Sequence, residues 1–262
     1  MRRDLRGLRA VVTGASRGIG RLTAERLAAA GCRLVLAARS ADPLRELAAA
    51  LPDAVACPAD LTTDAGRGLV AETARERFGG LDLLVNNAGV ASWGHFGTST
   101  PDVLRVVTET NFFAPAELIR VCLPLLADGT TPAVLNVASL CGRRGLPAWP
   151  EHSGAKAALV GLTEGLRGEF ARFGVDVLLV VPGLTRSHDL GRHLLRKDGK
   201  AELDFERATP PEAVADAVVA ALRTGRRETW VGRDTRRLLW VNRLAPRFVT
   251  AMVSRKVRRL YS

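Results

Sequence analysis

Tyrosine is almost missing from this chain: among 262 residues there is one, Tyr261. Aromatic residues together make up 5%. No basic stretch is interleaved with aromatics, which argues against a base-stacking surface for nucleic acid. Cysteine is sparse too. Cys32, Cys57, Cys122 and Cys141 lie far apart with no CxxC pair, so they read as free thiols in a reducing compartment. No uninterrupted apolar run reaches the roughly 18 residues a membrane span needs. Met1-Arg2-Arg3 leads almost directly into a strand, leaving no room for a signal peptide; a cytoplasmic location is expected. His95, His188 and His193 are scattered, without the tight spacing of metal ligands, and no metal site is expected.

What is present is a large apolar fraction, 47%, beside 25% charged residues, enough for a sizeable core in one domain. The net charge is +11. Arginine-rich coding bias explains such a value as readily as attraction to anionic ligands, nucleic acid or membrane surfaces does. Nearly continuous apolar runs predict strands near 8–13, 32–38, 54–58, 82–86, 133–138, 175–181 and 228–232, of the kind buried on both faces. Helical patterns lie between them near 19–30, 42–50, 64–78, 101–127, 151–173 and 211–223. Pro115 and Pro124 are expected to bend the fourth helix or end it early. This alternation predicts parallel β-α-β units in a doubly wound, Rossmann-like α/β sheet of about seven strands, with helices on both faces. The predicted domain spans 1–234. Within it, the polar, weakly periodic stretch 184–209 reads as a substrate lid.

The first strand ends in Thr13-Gly14-Ala15-Ser16-Arg17-Gly18-Ile19-Gly20. Such a loop lets backbone N–H groups and a helix N-terminus face a diphosphate, and glycine permits the close approach. The spacing is Gly-x3-Gly-x-Gly, not the Gly-x-Gly-x-x-Gly of the best-known dinucleotide fingerprint. The second strand ends Ala37-Ala38-Arg39-Ser40. A free ribose 2′-hydroxyl calls for an acidic residue there, and a 2′-phosphate for arginine. With no acid, and with Arg39 joined by Arg17, the expected cofactor is NADP(H), with NAD(H) second.

These residues resemble the short-chain dehydrogenase/reductase family over nearly the whole chain. Thr13–Gly20 is similar to its glycine motif, including Ser16, Arg17, Gly18 and Ile19. Asp60-Leu61 resembles its adenine-contacting pair, and Asn86-Asn87-Ala88-Gly89 its NNAG motif. Asn111, Ser139, Lys156 and Pro182-Gly183 fall where that family has its helix asparagine, its catalytic serine, its ribose-binding lysine and the turn after the sixth strand. Thr185 follows as a further cofactor contact. One position departs. Four residues before the lysine, where the family carries tyrosine, this chain has His152. The resemblance implies hydride transfer between the cofactor and a carbon. Serine would hold the substrate oxygen, lysine the ribose, and asparagine a water on a proton relay. Histidine would take over the proton, since imidazole works as acid or base near neutral pH. Lys156 should disfavour imidazolium.

The resemblance also implies a substrate pocket beneath the loop after Gly183, with Ala91, Trp93, Phe96, Leu140, Leu146, Trp149, Leu184 and Leu190 as candidate liners. Their apolar character implies a hydrophobic or aromatic carbonyl or alcohol. Without the tyrosine two other readings stay open: a non-redox catalyst (cyclase, dehydratase or isomerase) on this scaffold, or an inactive cofactor-binding protein. Family members pair through their fourth and fifth helices, so a homodimer or homotetramer is implied.

The last segment, 235–262, is a basic amphipathic extension. Val241, Leu244, Phe248 and Met252 share one helical face by spacing, with Pro246 dividing two helices. A cover for the sheet edge or a subunit interface, a roof over the substrate, and peripheral membrane contact are its three readings.

Overall fold

In the computed structural model, which describes residues 3–186, 194–199 and 208–261, seven strands form one parallel sheet. They are β1 (Arg9–Thr13), β2 (Arg33–Ala38), β3 (Ala54–Pro58), β4 (Leu83–Asn86), β6 (Ala133–Val137), β7 (Asp176–Pro182) and β9 (Glu228–Val231), in the order β3-β2-β1-β4-β6-β7-β9. The order reverses between β1 and β4, which opens a crevice at the strands' carboxyl ends. Two short strands that the apolar pattern did not reveal, β5 (Ala91–Trp93) and β8 (Leu194–Lys197), pair in parallel with each other.

Both faces of the sheet are covered, and the period-two alternation of a strand divides its residues between two cores. Ala10, Val12, Leu34 and Leu36 enter one core with Leu27 of α1 (Gly18–Ala29), Leu44 and Leu47 of α2 (Ala41–Ala50) and Val218 of α8 (Pro211–Thr224). Val11, Val35, Ala37 and Leu84 enter the other with Val70 of α3 (Asp64–Phe78) and Leu118, Cys122 and Leu126 of α5 (Ala114–Ala127). These side chains have essentially no exposed surface; truncating a single core leucine to alanine costs about 2–5 kcal/mol. At the amino ends of the strands Asp82 ties the sheet together. It accepts from Arg9 Nε and Nη2 at 2.8 and 2.7 Å, and from the Thr130 amide at 2.6 Å.

Of the two outcomes expected at Pro115 and Pro124, an early end is not seen, and the helix is distorted just before Pro115. α4 (Pro101–Thr108) continues through a π-turn (Glu109–Phe113) into α5. Pro115 has no N–H for the carbonyl four residues back, that of Asn111, and a wide turn absorbs the missing bond. The whole run Pro101–Ala127 is long and apolar enough to cross a membrane by length and composition; here α5 packs in the second core. Two helices lead to the site: the short α6 (Leu140–Arg143) and the long α7 (Pro150–Phe170). After β9 the chain ends in α9 (Arg233–Leu244) and α10 (Pro246–Tyr261). Their inward contacts are Leu239 and Val249, both buried. The face expected to be covered is the outward one, since Leu244, Phe248 and Met252 are exposed.

Candidate cofactor and substrate site

A cleft of about 940 Å³ lies over the β1/β4 crevice, lined by the glycine loop, the ends of β2, β4, β6 and β7, and the start of α8. The glycine loop owes its shape to three different requirements. Gly14 has φ +66°, and a β-carbon there would meet Ala88 Cα at 2.9 Å. Gly18 has φ +54° with open space around it, so only its backbone angle is demanding. Gly20 opposes the loop itself: a β-carbon would stand far inside van der Waals contact with the Gly14 carbonyl oxygen and 2.5 Å from Asn87 Nδ2. Thr13 and Asn87 sew this loop to the turn after β4. Thr13 Oγ1 accepts from the amides of Asn87 and Ala88 at 2.9 and 3.0 Å and donates to the Val85 carbonyl at 3.3 Å. Asn87 Nδ2 donates to the Thr13 carbonyl at 3.0 Å. The first turn of α1 has no side-chain cap and no acidic residue. Its amides and positive dipole end remain available to an anion.

At the far end of the cleft Arg17 and Arg39 are both exposed and both line the wall. Asp60 is there too, but its carboxylate is turned to Thr62, accepting from the amide at 3.0 Å and the hydroxyl at 2.8 Å. The Thr62 amide lowers the Asp60 pKa, with smaller help from the Thr62 hydroxyl and Arg39, against the opposing effect of burial.

The other end holds the residues that would handle a proton. α7 starts with Pro150 at its first position, where proline's missing N–H costs nothing. His152 and Lys156 are four residues apart on that helix, hence on one face. The helix is pinned to the sheet by a buried polar ladder: Asn86 Nδ2 to Asn136 Oδ1 and Asn136 Nδ2 to Thr163 Oγ1, both 2.9 Å. Lys156 is buried, and its Nζ donates to the Val137 carbonyl at 2.9 Å. Burial pushes its pKa down to about 8. Burial also pushes His152 down to about 4, aided by the Lys156 charge and opposed by a hydrogen bond with Val90. His152 Nδ1 lies 3.3 Å from the Val90 carbonyl oxygen. That oxygen can only accept, so it selects the tautomer with the proton on Nδ1 and leaves the Nε2 lone pair free.

Asn111 meets the same peptide. Its Nδ2 donates to the Val90 carbonyl at 2.7 Å and its Oδ1 accepts from the Val90 amide at 3.1 Å. The side chain is fully buried beneath Gly89, where a β-carbon would stand 2.7 Å from Oδ1. Ser139 lines the cleft and caps α6, with Oγ accepting from the Cys141 amide at 3.2 Å.

Most of the residues singled out in the sequence meet at this cleft. Thr13, Gly14, Ser16, Arg17, Gly18, Ile19, Arg39, Asp60, Leu61, Asn87, Ala88, Gly89, Ser139, His152, Pro182, Gly183 and Thr185 line it, as do Ala91, Leu140, Leu146, Trp149 and Leu184. Gly20, Asn111 and Lys156 support it from behind. Trp93 is a correction: it stands one layer back, its ring 6.5 Å from that of Trp149. Phe96 is another, lying in a short 3-10 turn with 60% of its surface exposed. Leu190, His188, His193 and much of the stretch 184–209 lie outside the described residues. Sequence reasoning missed Ser40, Thr62, Val90, Thr110 and Pro210-Pro211-Glu212 as cleft residues. Ser40 and Thr62 adjoin named positions. Nothing in the local pattern of Pro210–Glu212, read as a helix start, pointed to the cleft.

A doubly wound sheet with this loop, this crevice and an unpaired helix N-terminus defines a dinucleotide-binding protein of the dehydrogenase type. Residues 9–197 match the family model described as short chain dehydrogenase, and the chain belongs to that family. It is 32% identical over 253 residues to the protein described as uncharacterized oxidoreductase YxnA of Bacillus subtilis (strain 168), covering 94% of this chain and 71% of that one. Among solved structures it is similar to a short chain dehydrogenase/reductase from Burkholderia phymatum in complex with NAD, with TM-score 0.83, 25% identity and coverage of 94% and 96% of the two chains. A second, from Burkholderia cenocepacia in complex with NADP, has TM-score 0.81, 27% identity and coverage of 96% and 99%.

Proposed function

We propose that this oxidoreductase uses NADP(H) on a hydrophobic or aromatic carbonyl or alcohol, with His152 in the role usually held by tyrosine. The observation that carries the reading is one continuous cleft joining the glycine loop and two arginines to Ser139 and His152. The residues fit a nicotinamide dinucleotide: the Gly14 and Gly20 contacts forbid side chains where the loop folds tightly, and no acid lies beside Arg39 on β2.

When bound, the nicotinamide supplies or accepts the hydride. The chain's own part starts with the α1 amides, which would hold the diphosphate, while Arg17 and Arg39 would pair with the 2′-phosphate. Lys156, still largely protonated at neutral pH with its pKa near 8, lies under Gly89 and gives the nicotinamide-ribose end a positive potential. Ser139 Oγ, on the cleft wall, donates to or accepts from the substrate oxygen. His152 is neutral at pH 7, with its Nε2 lone pair free. It therefore accepts a proton from an alcohol hydroxyl more readily than it gives one to a carbonyl. Alcohol oxidation is the direction this tautomer favours. Ala91, Leu140, Leu146, Trp149 and Leu184 supply the apolar wall that selects the substrate. The outward Leu104, Val106, Phe113 and Val121 of the α4–α5 helix form the contact for a second copy.

The test follows NADP+ reduction with a panel of apolar and aromatic alcohols, and NADPH oxidation with the matching ketones. Turnover on part of the panel, faster with alcohols, supports the reading. Tight NADPH binding without turnover of any member contradicts it.

A further inference from the structure

We infer that α9 and α10 form a docking surface for an anionic lipid bilayer. The two helices are anchored by one side only. Leu239 packs with Leu179 and Val181 of the sheet, Val249 is fully buried, and Arg144 Nη2 donates to Thr250 Oγ1 at 2.9 Å. The opposite side is left bare. Trp240 and Leu244 at the end of α9, and Phe248 and Met252 one turn apart in α10, are 54%, 80%, 61% and 46% exposed, although the Trp240 ring also meets that of Trp230 edge-on at 5.9 Å. Scattered exposed apolar residues are ordinary; four large ones within 13 residues are not.

Charge identifies what covers them. Residues 233–262 carry nine lysines and arginines against a single acid, Asp234, so most of the chain's +11 excess lies in these two helices. Arg233, Arg237, Arg243, Arg247, Arg255 and Arg258 are exposed. Among the described residues no ion pair engages the arginines of α9 or α10. Arg236 Nε donates to the Trp230 carbonyl at 2.9 Å and Arg243 lies over the Trp240 ring, but no carboxylate among the described residues neutralises these charges; bulky apolar residues flanked by such arginines are the composition of a helix lying in the headgroup plane of an anionic membrane. A second copy would bring two strongly basic faces together, which repel. A nucleic acid backbone would satisfy the arginines but leave the apolar row in water.

The surface adjoins the cleft. Arg144, which holds α10, lies between Cys141 and Leu146, both of which line it. If the proposed preference for apolar substrates holds, a substrate dissolved in the bilayer would reach the cleft from this side.

The test is cosedimentation of the full chain with vesicles of phosphatidylcholine alone or mixed with phosphatidylserine, at low and high salt. The proposal expects binding to the anionic vesicles, weakened by salt, and little binding to neutral ones. Replacing Arg243, Arg247 and Arg255 with glutamine should weaken it about 150-fold, at roughly fivefold per arginine. The triple variant Leu244→Ser, Phe248→Ser, Met252→Ser should lose it while keeping the parent's melting temperature and NADP(H) uptake, because these side chains are exposed. A parent that stays in the supernatant with anionic vesicles overturns the proposal. So does a serine variant that sediments like the parent. A parent dimer that the serine substitutions split, without vesicle binding, would assign the face to a second copy and overturn it too. None of these readouts depends on turnover, so they stand apart from the outcome of the alcohol and ketone assays.

Discussion

Gly20→Ala isolates the geometry of the cofactor loop from the chemistry beyond it. Gly20 opens no unusual backbone angle; its constraint is space. The added methyl would fall 2.5 Å from Asn87 Nδ2 and closer still to the Gly14 carbonyl oxygen. Ordinary carbon–oxygen contacts begin above 3 Å, so the Gly14 peptide and the first turn of α1 must separate by about 1 Å, a case of overpacking. Gly14, on one side of that contact, lines the cleft, as do Gly18 and Ile19 just before Gly20 on the other, so the shift would move the amides expected to meet the diphosphate. Overpacking costs typically about 1–3 kcal/mol. If most of it falls on the bound state, NADP(H) affinity drops roughly 5- to 150-fold. The assay is calorimetric titration of parent and variant, with thermal melts to verify folding. Gly161→Ala serves as a control, since a β-carbon at that helical position meets nothing within 4 Å; it should bind like the parent and melt slightly higher. A folded Gly20→Ala protein that binds within twofold of the parent would refute the reasoning.

Removing the guanidinium groups with Arg17→Ala and Arg39→Ala should weaken NADP+ by about 10- to 100-fold per residue, as expected for charge-assisted hydrogen bonds. NAD+ affinity should change little; equal losses for both cofactors would place the arginines elsewhere than on the 2′-phosphate. His152, pushed down to about 4, should remain an active proton acceptor across neutral pH, and the alcohol oxidation rate should fall only as pH drops toward that value. Its effect on stability has the same sign. The unfolded chain binds the proton first, so stability present above the ordinary histidine pKa of about 6.5 declines as pH falls from there toward 4. A rate profile centred near 6.5 would contradict the buried, Lys156-facing environment. Asp82→Ala removes the acceptor of three Arg9 bonds, one from its amide and two from its guanidinium, and of the Thr130 amide and should destabilise by about 3–5 kcal/mol. A denaturant midpoint shift much smaller than that, at constant slope, would show that water replaces the carboxylate.

The fold was legible because its strands are buried on both faces. Runs such as Leu34–Ala38 and Leu178–Val181 carry the pattern in a few residues, and the helices between them have ordinary starts and stops. The same logic explains what stayed hidden. β5 and β8 are three and four residues long, with only half-buried or exposed ends, and their pairing brings together residues about 100 positions apart. Prolines that look like breaks in isolation are tolerated in the fourth helix, where a π-turn absorbs Pro115 and the helix runs on past the exposed Pro124 to Ala127. The cofactor end of the site could be read from local motifs, because backbone amides and glycines act where they stand in the chain. Its proton-handling end could be named but not understood from spacing. That His152 and Asn111 share the Val90 peptide, and that Lys156 points to Val137, depends on contacts across three elements. Trp93 and Phe96 show the same limit: their apolar nature suggested the pocket wall, and the register of β5 and the following turn puts one behind the wall and the other in solvent.

The account rests on a nicotinamide dinucleotide occupying the crevice between β1 and β4. Calorimetric titration of the purified chain with NADP+, NADPH, NAD+ and NADH addresses it without requiring a substrate. One site per chain is expected, with NADP(H) preferred by about 100-fold, the least that two guanidinium contacts worth about tenfold each should supply. Heats indistinguishable from dilution for all four nucleotides would contradict it.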